Sequence, residues 1–259
     1  MHGAEGPVGV FDSGSGGISL LGEMTARMPH ERFVYYGDHG NAPYGSKSRE
    51  EVLALVWRVI ERLLQEKAKA IVIACNTATA AAAEELRREL KLPVIGIEPA
   101  LKPASLTRRS GRILVLATPL TLALEKFARL MDRYGEYADK APCPGLVELI
   151  EREDWHGAEE YVKEIIRKRP EAPGAVVLGC THYVFLRDAV QRIVGPGVPV
   201  LDGNEGTACQ LQRVLRERGL ECTRGEGGVQ LETGGDEAAM LPQMRRLLVI
   251  AEKMAKARL

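Results

Sequence analysis

The chain has no excess of either charge: 35 Lys plus Arg balance 35 Asp plus Glu. Without a basic field, neither nucleic acid nor an anionic membrane surface is an expected partner, and small-molecule chemistry fits better. Long hydrophobic runs are missing too. Apolar stretches end after about six residues, far short of the roughly 18 to 20 that span a bilayer. Residues 1–6 lack a basic segment followed by an apolar one, so no secretory leader is expected and a cytoplasmic location follows. The five cysteines are odd in number and include no C-x-x-C pair, which excludes a disulfide framework and a thioredoxin-like motif. Each therefore needs its own explanation. With 259 residues, 45% of them hydrophobic, the chain can bury the core of one large domain or of two ordinary ones.

Short β-branched runs alternate with segments of helical period, the signature of an α/β protein with largely parallel sheets. Strands are expected at 8–11, 33–36, 70–74, 94–97, 113–117, 175–179 and 198–201, with a further short one at 229–231. Helices are expected at 50–67, 78–90, 120–134, 158–168, 183–194, 208–218 and 237–257. In the first of these Val52, Leu55, Val56, Val59, Leu63 and Leu64 form one apolar stripe opposite charges.

What stands just after the strands repeats. Asp12 precedes Cys75 by 63 positions, and Thr118 precedes Cys180 by 62; Cys75 precedes Glu98 by 23, and Cys180 precedes Asp202 by 22. Three matched anchors indicate a duplicated α/β unit. Ligands of open α/β sheets sit beyond the carboxyl ends of the strands, so two facing units would present Cys75 and Cys180 to one ligand from opposite sides.

Cys75-Asn76-Thr77 and Cys180-Thr181-His182 each open a predicted helix, where free N–H groups and the macrodipole lower a thiol pKa from about 8.5 toward neutrality. Asn76, Thr77 and Thr181 can cap those helices or bind a ligand carboxylate. His182 can exchange a proton with Cys180; the plainer alternative is a solvated or capping histidine. Asp12 opens a glycine-rich turn, Asp12 to Gly17, that is neither G-x-G-x-x-G nor a P-loop, so nucleotide binding is not supported. The turn lets a ligand approach closely and places Asp12 to assist Cys75, or it is a tight turn with a capping aspartate. The polar loop from Gly37 to Gly45, with His39 in it, and the pair Thr118 and Thr121 stand at the same edge; for the threonines helix capping is the alternative. Cys143, Cys209 and Cys222 lack matched partners and read as structural, and Trp57 and Trp155 as packing residues. A soft zinc set of Cys75, Cys180 and His182 stays open as a second reading, although four structural ligands are not evident.

The strings Phe11-Asp12-Ser13-Gly14 with Gly16-Gly17, Gly37-Asp38 with Pro43-Tyr44-Gly45, Ala74-Cys75-Asn76-Thr77-Ala78, Gly96-Ile97-Glu98-Pro99, Leu178-Gly179-Cys180-Thr181-His182-Tyr183 and Thr233-Gly234 resemble those of glutamate racemases of the aspartate/glutamate racemase superfamily, in the family's order. The resemblance implies two pseudo-symmetric flavodoxin-like lobes with the active site between them, residues 1–98 with 207–259 and residues 99–206. It implies racemisation of glutamate without pyridoxal phosphate or a metal, supplying D-glutamate for peptidoglycan. In family terms Asp12 assists Cys75, while His182 and an acidic residue eight positions after the cysteine of Cys143-Pro144, hence Glu151, assist Cys180. Ser13, Pro43, Tyr44, Gly45, Asn76, Thr77, Thr118, Thr121 and Thr181 would form the substrate cage. This chain departs from the family's pattern at Val184, Glu148, His39 and Asp202-Gly203-Asn204. Aspartate or hydantoin racemases and one-cysteine decarboxylases of the same superfamily are the nearby alternatives, and two matched cysteines argue against decarboxylation. A homodimer is compatible with the sequence, which does not report oligomeric state.

Overall fold

The computed structural model describes residues 6–108 and 110–258; apart from Gly6, the segment on which the leader argument rests lies outside them. Among the described residues nine strands are formed: β1 (Val8–Asp12), β2 (Arg32–Gly37), β3 (Ala70–Ile73), β4 (Val94–Gly96), β5 (Ile113–Ala117), β6 (Ala138–Pro142), β7 (Ala175–Leu178), β8 (Val200–Asp202) and β9 (Gly228–Thr233). They make two parallel sheets, ordered β4-β3-β1-β2-β9 and β6-β5-β7-β8. Read from its other edge, the second sheet runs β8-β7-β5-β6, so β5 to β8 repeat the order of β1 to β4. Phe11 pairs with Ile73 and Leu116 with Leu178, so Cys75 and Cys180 each stand two residues beyond equivalent register positions.

The central strands β1 and β5 are buried along their whole length, as expected for parallel strands covered by helices on both faces. Val52, Leu55, Val56, Val59, Ile60 and Leu63 of the helix Arg49–Gln65 are buried against the first sheet. Ser48 and Glu51 close its N-terminus with a capping box. The helix stops two residues before the expected 67 because Lys67 takes a left-handed conformation, φ 57°, that ends a helix at this position. On the opposite face, Met24, Leu211, Leu215, Met244 and Leu247 join one core, and β9 pairs with β2.

Several expectations from the sequence need correction. Strand β6 was not expected: Ala138-Asp139-Lys140-Ala141-Pro142 has no apolar run, because it is an edge strand with one half-exposed face, where Pro is tolerated. The helices Ile18–Arg27, Leu101–Thr107 and Leu146–Glu151 were not separately anticipated. The expected helix 120–134 is broken at Leu124, whose ψ is 146°. Leu120 and Leu124 pack onto a core of the first sheet and Phe127 onto one of the second; in one unbroken helix Leu124 and Phe127 would share a face. After Cys180 the chain makes a 3-10 turn, His182–Leu186, and the α-helix begins only at Arg187. Among the described residues no helix is long and apolar enough to cross a membrane.

Candidate active site

The carboxyl ends of β1, β3, β5 and β7 converge where the two sheets meet. Cys75 is the N-cap of the helix Asn76–Glu89, accepting from Ala78 N–H at 3.4 Å, and its thiol donates to Ser13 Oγ at 3.8 Å. Cys180 faces His182, with Sγ 3.8 Å from Nδ1. Both cysteines are buried, 6% and 7% exposed, and are close enough for the charge of Cys180 to act on Cys75. Asp12, wholly buried, accepts from Gly14 N–H at 2.8 Å, from Ser13 Oγ at 3.4 Å and from Thr181 Oγ1 at 3.0 Å. Its carboxylate thus reaches Cys75 through Ser13 and by its charge, and it takes up the Thr181 hydroxyl from the other sheet's loop.

Glu151, placed at the end of the helix Leu146–Glu151 by the turn after β6, meets His182 Nε2 at 2.5 Å and accepts from Ser15 N–H at 2.7 Å. Gly16 N–H also points at His182 Nε2, at 3.1 Å. One nitrogen cannot serve both: as an imidazolium it donates to Glu151, and it accepts from Gly16 only after losing that proton. The glycines of this turn are required by space. A Cβ on Gly14 would lie 2.3 Å from Glu151 Oε1, and one on Gly16 would lie 2.2 Å from His182 Nδ1.

Thr77, Thr118 and Thr121 join their hydroxyls in a triangle, at 3.0 Å, 3.0 Å and 2.8 Å, so the two halves also touch here. Thr118 caps the helix Pro119–Ala123, accepting from Thr121 N–H at 3.2 Å; the capping alternative is therefore realised along with the position in the cleft. Asn76 is buried beside them. Tyr44 is fully buried and its hydroxyl donates to Asp38 at 2.6 Å, fixing the Pro43-Tyr44-Gly45 turn so that Gly45 approaches Thr118 too closely for any Cβ, 2.9 Å.

Burial opposes the expected acidification of Cys75 at its helix N-terminus. Desolvation and the Asp12 charge push Cys75 up to about 12, and the Ala78 N–H opposes them only in part. For Cys180 the expected α-helix is absent at that point. Asp12 is itself raised above 3.8 by burial, against the pull of His182, Gly14 and Thr181. Burial alone would also raise Glu151 and lower His182. Their mutual charge and hydrogen bond, with Ser15 N–H and His39 helping Glu151, bring Glu151 down to about 2 and hold His182 well above 6.5. The pair is an ion pair at neutral pH.

The ion pair has a consequence for stability. A depressed carboxyl stabilises the fold above its unfolded value of 4.5 and loses this as pH falls toward about 2; a raised imidazole stabilises below 6.5 and loses this as pH rises through its folded value. Glu151→Gln is therefore expected to cost most between about pH 4.5 and 6.5, up to about 3 kcal/mol, with the difference from wild type closing toward pH 2. Urea unfolding midpoints measured across that range check it.

Other sequence candidates lie elsewhere. Glu98 pairs with Lys126 at 2.5 Å and Asp202 with Arg187 and Arg258; both keep the expected strand-end position but serve as ion-pair partners. Cys143 is buried with its thiol donating to Ala141 O and pushed up to about 12 by burial, which fits a structural role. Cys209 is exposed and so is not a packing residue, and Cys222 accepts from Lys69 Nζ at 3.4 Å. Trp57 donates to Glu85 and Trp155 packs edge-on against Phe185. Among the described residues no group of three or more His, Cys, Asp or Glu side chains is arranged to hold a metal ion, so Cys75, Cys180 and His182 do not form the zinc set left open above. Ser15, Gly16, Ser19, His39 and Gln243 were missed as site neighbours. Ser19 donates to Thr181 O at 3.1 Å and Gln243 to Glu151 O at 2.7 Å. The glycine-rich turn signalled Ser15 and Gly16, and the polar loop 37–45 signalled His39.

Residues 19–211 match the family model described as Asp/Glu/Hydantoin racemase. The chain belongs to this family. It is 45% identical to a glutamate racemase of Clostridium perfringens over 94% of this chain and 96% of that one. The crystal structure of a glutamate racemase isoform from Bacillus anthracis superposes with TM-score 0.85 at 30% identity, covering 95% of this chain and 94% of that one. That of Escherichia coli glutamate racemase in complex with L-glutamate and the activator UDP-MurNAc-Ala gives 0.80 at 28% identity, covering 93% and 95%. The family places the chain among the isomerases that racemise amino acids, with the two-lobed fold of its structural neighbours.

Proposed function

We propose that the chain interconverts L- and D-glutamate without a cofactor by passing protons through Cys75 and Cys180 on opposite faces of Cα. The observation that carries this reading is the pair of buried thiols at equivalent ends of two sheets of like order. Glutamate is the substrate of the reading because the sequence relatives are glutamate racemases and the Escherichia coli neighbour holds L-glutamate.

In one direction Cys180, as thiolate, takes the Cα proton and becomes a thiol, while the electron pair spreads into the substrate carboxylate. Cys75 gives its proton to the opposite face and is left as thiolate. The other enantiomer runs the sequence backwards. For that direction Cys75 must begin protonated, which burial and Asp12 favour by pushing it up to about 12, and His182 Nδ1 stands 3.8 Å from Cys180 Sγ, placed to exchange a proton with it. The growing carboxylate charge needs preorganised donors. The N–H groups opening the helix Asn76–Glu89, with Asn76, Thr77, Thr118 and Thr121, are suited to it, and Ser13, Pro43, Tyr44, Gly45 and Thr181 complete the cage. Residues 1–98 with 207–259 form one lobe and residues 99–206 the other, and their closure excludes water. The D-glutamate made in the cytoplasm serves peptidoglycan synthesis.

Incubation of the purified protein with L-glutamate in deuterated water, without added cofactor, tests the reading. Expected is loss of optical rotation with one deuterium at Cα of each D-glutamate formed. No change in rotation, or inversion without deuterium, overturns it; preferential turnover of L-aspartate in a parallel reaction replaces the substrate.

A further inference from the structure

His39 and Gln243 belong to the half of the molecule built on the first sheet, yet both converge on Glu151, which follows β6 of the second. His39 stands in the short turn His39–Asn41 after β2, its side chain 7% exposed. Its Nδ1 lies 3.1 Å from Gly37 O and 2.8 Å from Thr233 Oγ1. A carbonyl can only accept, so Nδ1 carries a ring proton, and Nε2 on the other side of the ring meets the Ser15 hydroxyl at 2.8 Å. Groups from β2, β9 and the turn after β1 thus fix the ring, and the ring fixes Ser15. Ser15 N–H in turn holds Glu151 Oε1 at 2.7 Å, and His39 Nε2 itself lies 3.9 Å from Oε2. From the helix Glu237–Lys256, the buried Gln243 amide donates to the Glu151 backbone carbonyl at 2.7 Å.

Carboxylate and backbone of the same residue are therefore both aimed from the opposite half. We propose that His39 and Gln243 are positioning residues which act on Cys180 through Glu151 and His182, so that this acid/base pair is assembled only when the two halves meet. The inference rests on the two-thiol reading. It makes lobe closure more than exclusion of water: the relay His39, Ser15, Glu151, His182, Cys180 crosses the cleft at the Ser15–Glu151 step, and an open molecule lacks an aimed imidazole. Hydrogen bonds from supporting groups of this kind orient the groups that touch the reacting atoms, and a misplacement of about 1 Å lowers a rate on the order of 10²-fold.

The test uses His39→Ala, His39→Gln and Gln243→Ala, with primary Cα-deuterium isotope effects measured from both L- and D-glutamate. His39→Ala and Gln243→Ala are expected to lower kcat about 10-fold or more with KM changed by less than about threefold. Slowing only the transfer at Cys180 raises the isotope effect for the enantiomer whose Cα–D bond Cys180 breaks, and lowers it for the other, where a slower later protonation hides the first step. His39→Gln, whose amide can still reach Ser15 Oγ, is expected to recover part of kcat and of the normal isotope effects. Isotope effects unchanged, or shifted alike for both enantiomers, in variants that remain folded by thermal unfolding overturn the proposal. Turnover surviving in Cys75→Ala or Cys180→Ala would instead remove the two-thiol reading beneath it, so the two failures are separable.

Discussion

Cys75→Ala and Cys180→Ala are each expected to lower racemisation about 10³-fold or more, with the thermal midpoint within a few degrees of wild type. Inversion needs a proton removed from one face and another delivered to the opposite face, and neither thiol can reach both. Losing one acid/base group typically costs 10² to 10⁴ in rate, and a 10³-fold loss corresponds to about 4 kcal/mol of barrier. The fold loses only one buried sulfur with few polar contacts: Cys75 gives up Ser13 and Ala78, and Cys180 gives up His182. The remaining thiol can still remove and return a proton on its own face. In deuterated water, residual exchange at Cα is therefore expected for one enantiomer only, a different one in each variant. Turnover near wild type in either variant, or exchange of the same enantiomer in both, contradicts the assignment of one face to each thiol.

The opposite separation of stability from activity is expected at Lys69. Its ammonium lies 2.7 Å from Glu31 Oε1, with the side chains 0% and 1% exposed. Lys69 precedes β3 whereas Cys75 follows it, so the pair sits a strand's length from the cleft. Lys69→Met removes the cation beside a buried carboxylate, a change that costs about 3–5 kcal/mol and, at about 2–4 °C per kcal/mol, lowers the midpoint by about 6–20 °C. The double variant Lys69→Met with Glu31→Leu is expected to regain most of the loss, because it removes both desolvated charges. Calorimetry of the three proteins checks the order, and glutamate turnover of the folded single variant at low temperature is expected to stay near wild type. A loss of activity larger than the loss of folded protein would show that the pair also shapes the cleft.

The strands that were legible are those whose neighbours on both sides are protein. β3, β5 and β7 are apolar throughout, and β1 is so up to its terminal Asp12, because parallel strands with helices on both faces have no solvent side. Strand β6 has one such side and a terminal proline, and it disappears into its surroundings when read as sequence. The break at Leu124 was equally invisible, since the residues around it keep helical period and only their attachment to two different cores bends the chain. Glu151 entered through family resemblance alone. Nothing in its local sequence distinguishes it from Glu148 or Glu153; what does so is contact with Ser15, His182 and Gln243, 136, 31 and 92 positions away.

The sequence by itself determined the duplication: spacings of 63 and 62, then 23 and 22, place a cysteine at the same strand end in each half, because strand and helix lengths are local quantities written in hydrophobic period. It also determined which residue types stand at that edge. Only the tertiary structure decided their protonation and their partners. Helix position alone argues for an acidified Cys75, yet removal of water and the nearby Asp12 carboxylate carry it to about 12, since desolvation depends on everything that packs around a group and not on what precedes it in the chain. The histidine beside Cys180 becomes half of an ion pair for the same reason: the carboxylate that holds it is brought from 31 residues away.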